Sequence, residues 1–179
     1  AGIGGFDENL DHVSTRHRAE SAAARIAISS GRVLFGGGGL STTPIIDYRT
    51  YTDFMPDGDL HMIGHQFSTR ARLINVNGNS GNQVMKIGGK WGFDEGDGDL
   101  ADIFAQMDAW LVAIKNDPST DVSQRDRVIE AKPSGLTDVC WDNEAVPRVK
   151  HVQKQQYQGD NLCSQLYPAF SSPRQEAGS

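Results

Sequence analysis

Apolar side chains in the stretch "DLADIFAQMDAWLVAIKND" fall at Ile103, Phe104, Met107, Trp110, Leu111 and Ile114. This is the i, i+1, i+4, i+7, i+8, i+11 series of one helix face, and it predicts a helix capped near Asp99. A second helix is expected from about Asp59 to Ile74, with Asp59 as cap and Ile63, Phe67, Ala71 and Ile74 as its apolar stripe. An earlier one lies in "STRHRAESAAARIAISSG". There Ser14 or Thr15 can cap, Ala23, Ile26 and Ala27 share a face, and Gly31 provides a stop. Two runs read as strands instead. "TPIIDYRTY" is β-branched and aromatic with Pro44 only at its start, and "QVMKIGG" follows the loop "NVNGNSGN". Beyond Pro118 the pattern fades. "DRVIEAKPSG" reads as a short strand or turn, and residues 134–179 read as a polar, extended tail.

The order helix, strand, helix, strand, helix implies crossover connections and hence an α/β fold with a parallel sheet. Two strands do not complete such a sheet. The expectation is therefore the C-terminal portion of an α/β sheet domain in residues 1–133, followed by the tail at 134–179. The remaining strands would lie upstream of Ala1 or in another chain. The opening "AGIGG", without an initiator Met or a signal-peptide core, fits a processed piece of something longer.

Composition narrows the function. The 179 residues are 37 % hydrophobic and include 20 glycines, which suits a loop-rich chain with a modest core. A net charge of −6 and the lack of a basic stripe argue against a nucleic-acid partner. No apolar run approaches the roughly 20 residues needed to span a bilayer. The two cysteines, Cys140 and Cys163, lack metal-type spacing. They read either as one disulfide in an exported, secreted or periplasmic, protein or as two buried thiols. A bridge would close a loop of some two dozen residues, with Trp141 placed to pack on it or to line a substrate groove.

Residues 44–116 resemble the C-terminal part of the tannase and feruloyl-esterase group of α/β-hydrolases. Tyr51-Thr52-Asp53 falls where that group turns out of a strand to supply the triad acid, and "QMDAWLVAIKNDP" matches its Trp-bearing helix. The string "NLCSQLYP" is similar to a Cys-x-Tyr-Pro stretch near the end of such enzymes. Nearly the whole chain, through "GIGG", "GGGL", "NQV" and "LYP", resembles a family of secreted bacterial proteins of unknown function assigned to the same fold. The resemblance implies an α/β-hydrolase-like fold and an esterase-type, Ser-His-Asp chemistry on a small-molecule or polymeric ester. The loop after the last strand of the pattern, "GGKWGFDEGDGD", contains no His, a departure from the group.

No G-x-S-x-G elbow occurs in these residues, so an esterase of this kind would take its serine from an upstream segment or chain of the same protein. Asp53, just past a strand's C-terminal end, is the expected acid. Asp47, inside the strand, needs a cation such as Arg49 or Arg72. His61 is the expected base among His12, His17, His61, His65 and His151, and His65 at i+4 would share its helix face. Each also has a plainer reading, as a turn carboxylate or a hydrogen-bonded imidazole. Asp94–Asp99, "DEGDGD", would either take Ca²⁺ on a flexible loop or simply complement the following helix dipole; no other cofactor is expected. The competing class is a non-catalytic hydrolase-like module that binds a ligand or polymer.

Overall fold

A computed structural model describes residues 21–55, 59–93 and 98–170. The chain divides into two compact units, residues 1–35 and 36–179. In the first, helix α1 spans Ser21–Ser29 and ends at Gly31, whose φ of +73° is the left-handed conformation of a glycine stop. The expected caps Ser14 and Thr15 lie outside the described residues, as do His12 and His17.

The second unit is built on a four-stranded sheet in the order β1-β2-β3-β4, with β1 at Ile45–Arg49, β2 at Gln83–Ile87, β3 at Val139–Asp142 and β4 at Val149–Val152. The first three strands are parallel. Helix α2 (Gly64–Asn77) carries the chain from β1 to β2, and α3 (Leu100–Asn116) with α4 (Gln124–Glu130) carries it from β2 to β3. β4 runs antiparallel to β3, because the few residues between them are too short for a crossover. A last helix, α5, covers Leu162–Leu166. The α/β class and the parallel pairing of β1 with β2 therefore hold, in a mostly parallel sheet.

Two expectations are corrected. The first half of "DRVIEAKPSG", residues 126–130, belongs to helix α4 rather than to a strand, while residues 131–135 do form turns. The Ser123 side chain accepts from the Asp126 amide and donates to the Asp126 carboxylate, a reciprocal cap that starts the helix. Residues 134–170 are not an extended tail: they supply β3, β4 and α5, so two further strands of the sheet come from within the chain.

Strand alternation sorts the core onto two faces. Met85, Ile87 and Cys140 pack with Ile63, Phe67 and Leu166 on the α2 and α5 side. Ile46 and Val84 meet Trp110, Val128 and Leu136 on the α3 and α4 side. The Cys140–Cys163 disulfide ties β3 to α5, with 5.8 Å between Cα atoms. Closing 23 residues of chain contributes about 3 kcal/mol in the chain-entropy account. Trp141 follows Cys140 and so turns to the opposite face. It packs edge-on to Tyr48 under the Arg148 guanidinium instead of on the bridge.

Helix α2 starts later than its expected position and only part of the expected stripe turns inward: Ile63 and Phe67 pack in the core, whereas Ala71 and Ile74 are exposed. Its buried residues are Gln66, Arg70 and Leu73, with Ile63 just before its first turn. Asp59 does not cap it. The amide of Ile63 donates instead to Asp53, across the turn from β1. Asp99 does sit at the N-cap position of α3, but its carboxylate points away from the helix amides.

Candidate functional site

The chain ends of the parallel strands converge on three short segments: Tyr51–Asp53 after β1, Gly88–Trp91 after β2, and Asn143 after β3. In open α/β sheets this is the edge where ligands and catalytic groups collect. Both glycines of the β2 exit are required by close aromatic neighbours. A Cβ at Gly88 would enter the Tyr167 ring, and one at Gly89 the Tyr48 ring.

Asp53 is buried at 6 % exposure. Its Oδ1 accepts from the Ile63 amide at 2.8 Å and its Oδ2 from the Phe170 amide at 2.9 Å. Both oxygens thus hold backbone, one at the entry to α2 and one after α5. Beside it, the Tyr51 hydroxyl donates to the Pro168 carbonyl at 2.7 Å. Burial, and secondly the Asp53 charge, push the Tyr51 phenol above its ordinary pKa.

His61 does not meet Asp53. Its Nδ1 lies 2.7 Å from Asp59 Oδ1, and its own backbone amide donates to that same oxygen at 2.6 Å. The two hydrogen bonds from His61 hold the Asp59 carboxyl below its usual range. The imidazole is 72 % exposed, so with Nδ1 engaged its other nitrogen faces solvent. Asp59 was not foreseen in this role, although the D-x-H spacing that makes the contact is visible in the sequence. His65, on the first turn of α2, is exposed and shares no helix face with His61, which precedes the helix. His151 lies in β4 opposite Cys140. Asp47 pairs with Arg49 at 3.5 Å, one of the two cations expected for it.

The loop after β2, where the resemblance places an imidazole, is closed at its base by Asp99. The Asp99 carboxylate accepts from the Lys90 amide at 2.7 Å and from both terminal nitrogens of Arg148 at 3.0 and 2.8 Å. The Asp99 amide returns a bond to the Lys90 carbonyl, which also accepts from the Tyr48 hydroxyl at 2.6 Å. Burial raises the Asp99 carboxyl, but Arg148 and the Lys90 amide outweigh it and keep the group ionised. Residues 94–97 of the acidic stretch lie outside the described residues. Among the described residues no cluster of three or more His, Cys, Asp or Glu is arranged to hold a metal. No helix among them is long and apolar enough to cross a membrane.

Beneath this loop Lys86 is 1 % exposed, in the middle of β2. Its Nζ donates to Gln106 Oε1 at 2.6 Å. Burial, then repulsion from Lys150, lowers its pKa from 10.5 to about 8. The unfolded chain therefore binds the proton more tightly, and stability rises as pH climbs from about 8 towards 10.5. Below pH 8 the buried charge costs on the order of 3 kcal/mol. Lys86→Met removes that cost but orphans Gln106, a loss of about 1 kcal/mol. The variant is expected to be more stable by about 2 kcal/mol at pH 7 and to lose that advantage near pH 10. Chemical denaturation at both pH values checks it, and equal gains at both would refute the account.

A mostly parallel sheet flanked by helices defines an α/β protein, with Asp53 buried in the turn after β1 and the His61 imidazole held by Asp59 in the connection to α2. The sequence matches the tannase-like family of unknown function (DUF6351) over residues 1–179, and the chain belongs to that family. No curated protein and no solved structure gives a significant match.

Proposed function

We infer that this chain is the acid–base part of an exported ester hydrolase whose serine nucleophile comes from sequence outside these 179 residues. His61 is the base and Asp59 its orienting carboxylate. Asp53 is a positioning residue that fixes the corner from which both project. The observation that carries this reading is the 2.7 Å Asp59–His61 contact, which engages one ring nitrogen and leaves the other exposed. That is the arrangement a hydroxyl nucleophile needs: a base within reach and a carboxylate holding its tautomer. In the first step the imidazole would take the serine proton as oxygen attacks the acyl carbon. It would return the proton to the leaving alcohol, and water would then release the acid by the same route. Tannase-like family membership supports an ester substrate, and the disulfide supports an oxidising compartment.

The test is hydrolysis of p-nitrophenyl acetate by the full-length protein. His61→Ala is expected to lower kcat about a hundredfold and to abolish the acidic limb of the pH profile. Asp59→Asn should give a smaller loss and keep the acidic limb, because the His61 base is still present. A His61→Ala enzyme with unchanged kcat would overturn the assignment. Two observations favour a second reading, a binding module: both oxygens of Asp53 are committed to backbone, and Asp99 clasps the loop where an imidazole is expected. A full-length protein without esterase activity, yet retaining a polymeric ester on a column, would support that alternative.

A further inference from the structure

At the opposite end of the parallel strands lies a cavity of about 680 Å³, bounded by the end of α2, the starts of β2 and β3, and the end of β4. Its volume falls in the range of small-molecule sites. Its apolar lining residues are Ile74 and Val152, whose side chains are exposed, with Val84 and Leu136, each 1 % exposed, as the core behind them. Ile74 and Val152 remain 46 % and 71 % exposed there, so the wall carries apolar surface without a protein partner among the described residues.

Charge in the cavity is one-sided. Arg70, Lys132 and Lys154 line it, with Asp138 the sole carboxylate among the lining residues. That carboxylate is already saturated. Its oxygens accept from Arg70 Nη1 at 2.5 Å and Nη2 at 2.9 Å, from the Met85 amide at 2.8 Å and from the Gln155 amide at 3.1 Å. Arg70 is likewise consumed by Asp138 and Gln83. Lys132 is different. Its ammonium donates to the Gly81 carbonyl at 3.0 Å, leaving two of its three N–H groups for another acceptor. A half-buried cation without a carboxylate of its own, in a chain of net charge −6, is a recognition element for a single anionic group.

We propose that this cavity binds an amphipathic monocarboxylate, its carboxylate on the Lys132 ammonium and its apolar body against the exposed side chains of Ile74 and Val152. The site stands apart from the His61 corner, so its existence does not depend on the hydrolase reading. A single carboxylate suits the half-buried Lys132 ammonium, while the exposed Lys154 at the rim adds general attraction for an anion.

The probe is octanoate, titrated into the ¹⁵N-labelled chain and followed by amide chemical shifts. Saturable shifts are expected at residues 78–81, 132–138 and 152–154. Lys132→Met should weaken binding roughly tenfold, whereas Lys132→Arg, which keeps the charge, should stay within a few fold of the parent. Octan-1-ol should bind no more tightly to the parent than to Lys132→Met. Val152→Asp, at an exposed position, provides an independent check that leaves the lysine in place, since its carboxylate should repel octanoate and abolish the shifts. Shifts scattered over the surface, or equal affinity in the parent and both Lys132→Met and Val152→Asp, would overturn the proposal.

Discussion

Replacing Asp138 with Ala is expected to lower the unfolding free energy by about 4 kcal/mol, because it breaks a buried ion pair from one side. The side chains of Arg70 and Asp138 are only 10 % and 11 % exposed. The carboxylate gathers four donors from three directions: the α2 guanidinium twice, the β2 amide of Met85 and the amide of Gln155 after β4. Removing it leaves a buried cation and two backbone N–H groups without acceptors, each of which carries its own desolvation cost. Asp138→Asn keeps the shape and one acceptor oxygen, so it should lose less. The pH dependence has a definite sign. Burial alone would raise this carboxyl, yet Arg70 and the amides outweigh it and set it below its unfolded value. Its contribution is thus present above the unfolded carboxyl pKa of about 3.9 and disappears as pH falls through the lower folded value. Urea denaturation from pH 7 to pH 2 measures both effects. An Asp138→Ala protein that loses less than about 1 kcal/mol, within the scatter of surface changes, would sink the argument.

Trp110→Ala is the second large effect, again about 4 kcal/mol. The indole is fully buried between α3 and the sheet, packed with Val84, Val128 and Leu136, and its Nε1 donates to the Val128 carbonyl at 2.8 Å. It is therefore both the main filler of that face and the tie between α3 and α4. Trp110→Phe separates the two roles: it keeps most of the volume, forfeits the hydrogen bond and should cost about 1–2 kcal/mol. Thermal or chemical melts of both variants decide the matter. Equal losses for Ala and Phe would mean that the hydrogen bond, and not the packing, dominates.

What could be read from the sequence follows from where apolar spacing carries the information. Helix α3 is legible because Ile103 and Trp110 face the sheet at strict helical spacing, and β1 and β2 because their β-branched runs sit between turn residues. Helix α2 misleads, since its inward face is Gln66, Arg70 and Leu73. Two of these are buried by polar partners that lie far away in sequence, which no periodicity reports. Strands β3 and β4 are four residues each, and β4 is a mostly exposed edge, so neither offers alternation long enough to stand out. Helix α4 had a usable sign in Ser123-x-x-Asp126, a capping pattern outweighed by the short apolar run after it. At the site, Asp53 was correctly placed just beyond the strand. Its commitment to two backbone amides depends on Phe170, 117 residues away, and could not be read locally.

That separation has a consequence for how the molecule is made. Asp53 and Tyr51 complete their bonds only with Phe170 and Pro168, each 117 residues further on. During synthesis, which adds about 5–20 residues per second, the β1 exit waits several seconds for its partners. A ribosome that has made β1, α2 and β2 therefore carries a corner whose carboxylate has half its acceptors unfilled. Nascent chains stalled short of residue 168 should remain protease-sensitive at residues 50–55 and 59–63, and that sensitivity should fall once the α5 segment has cleared the exit tunnel.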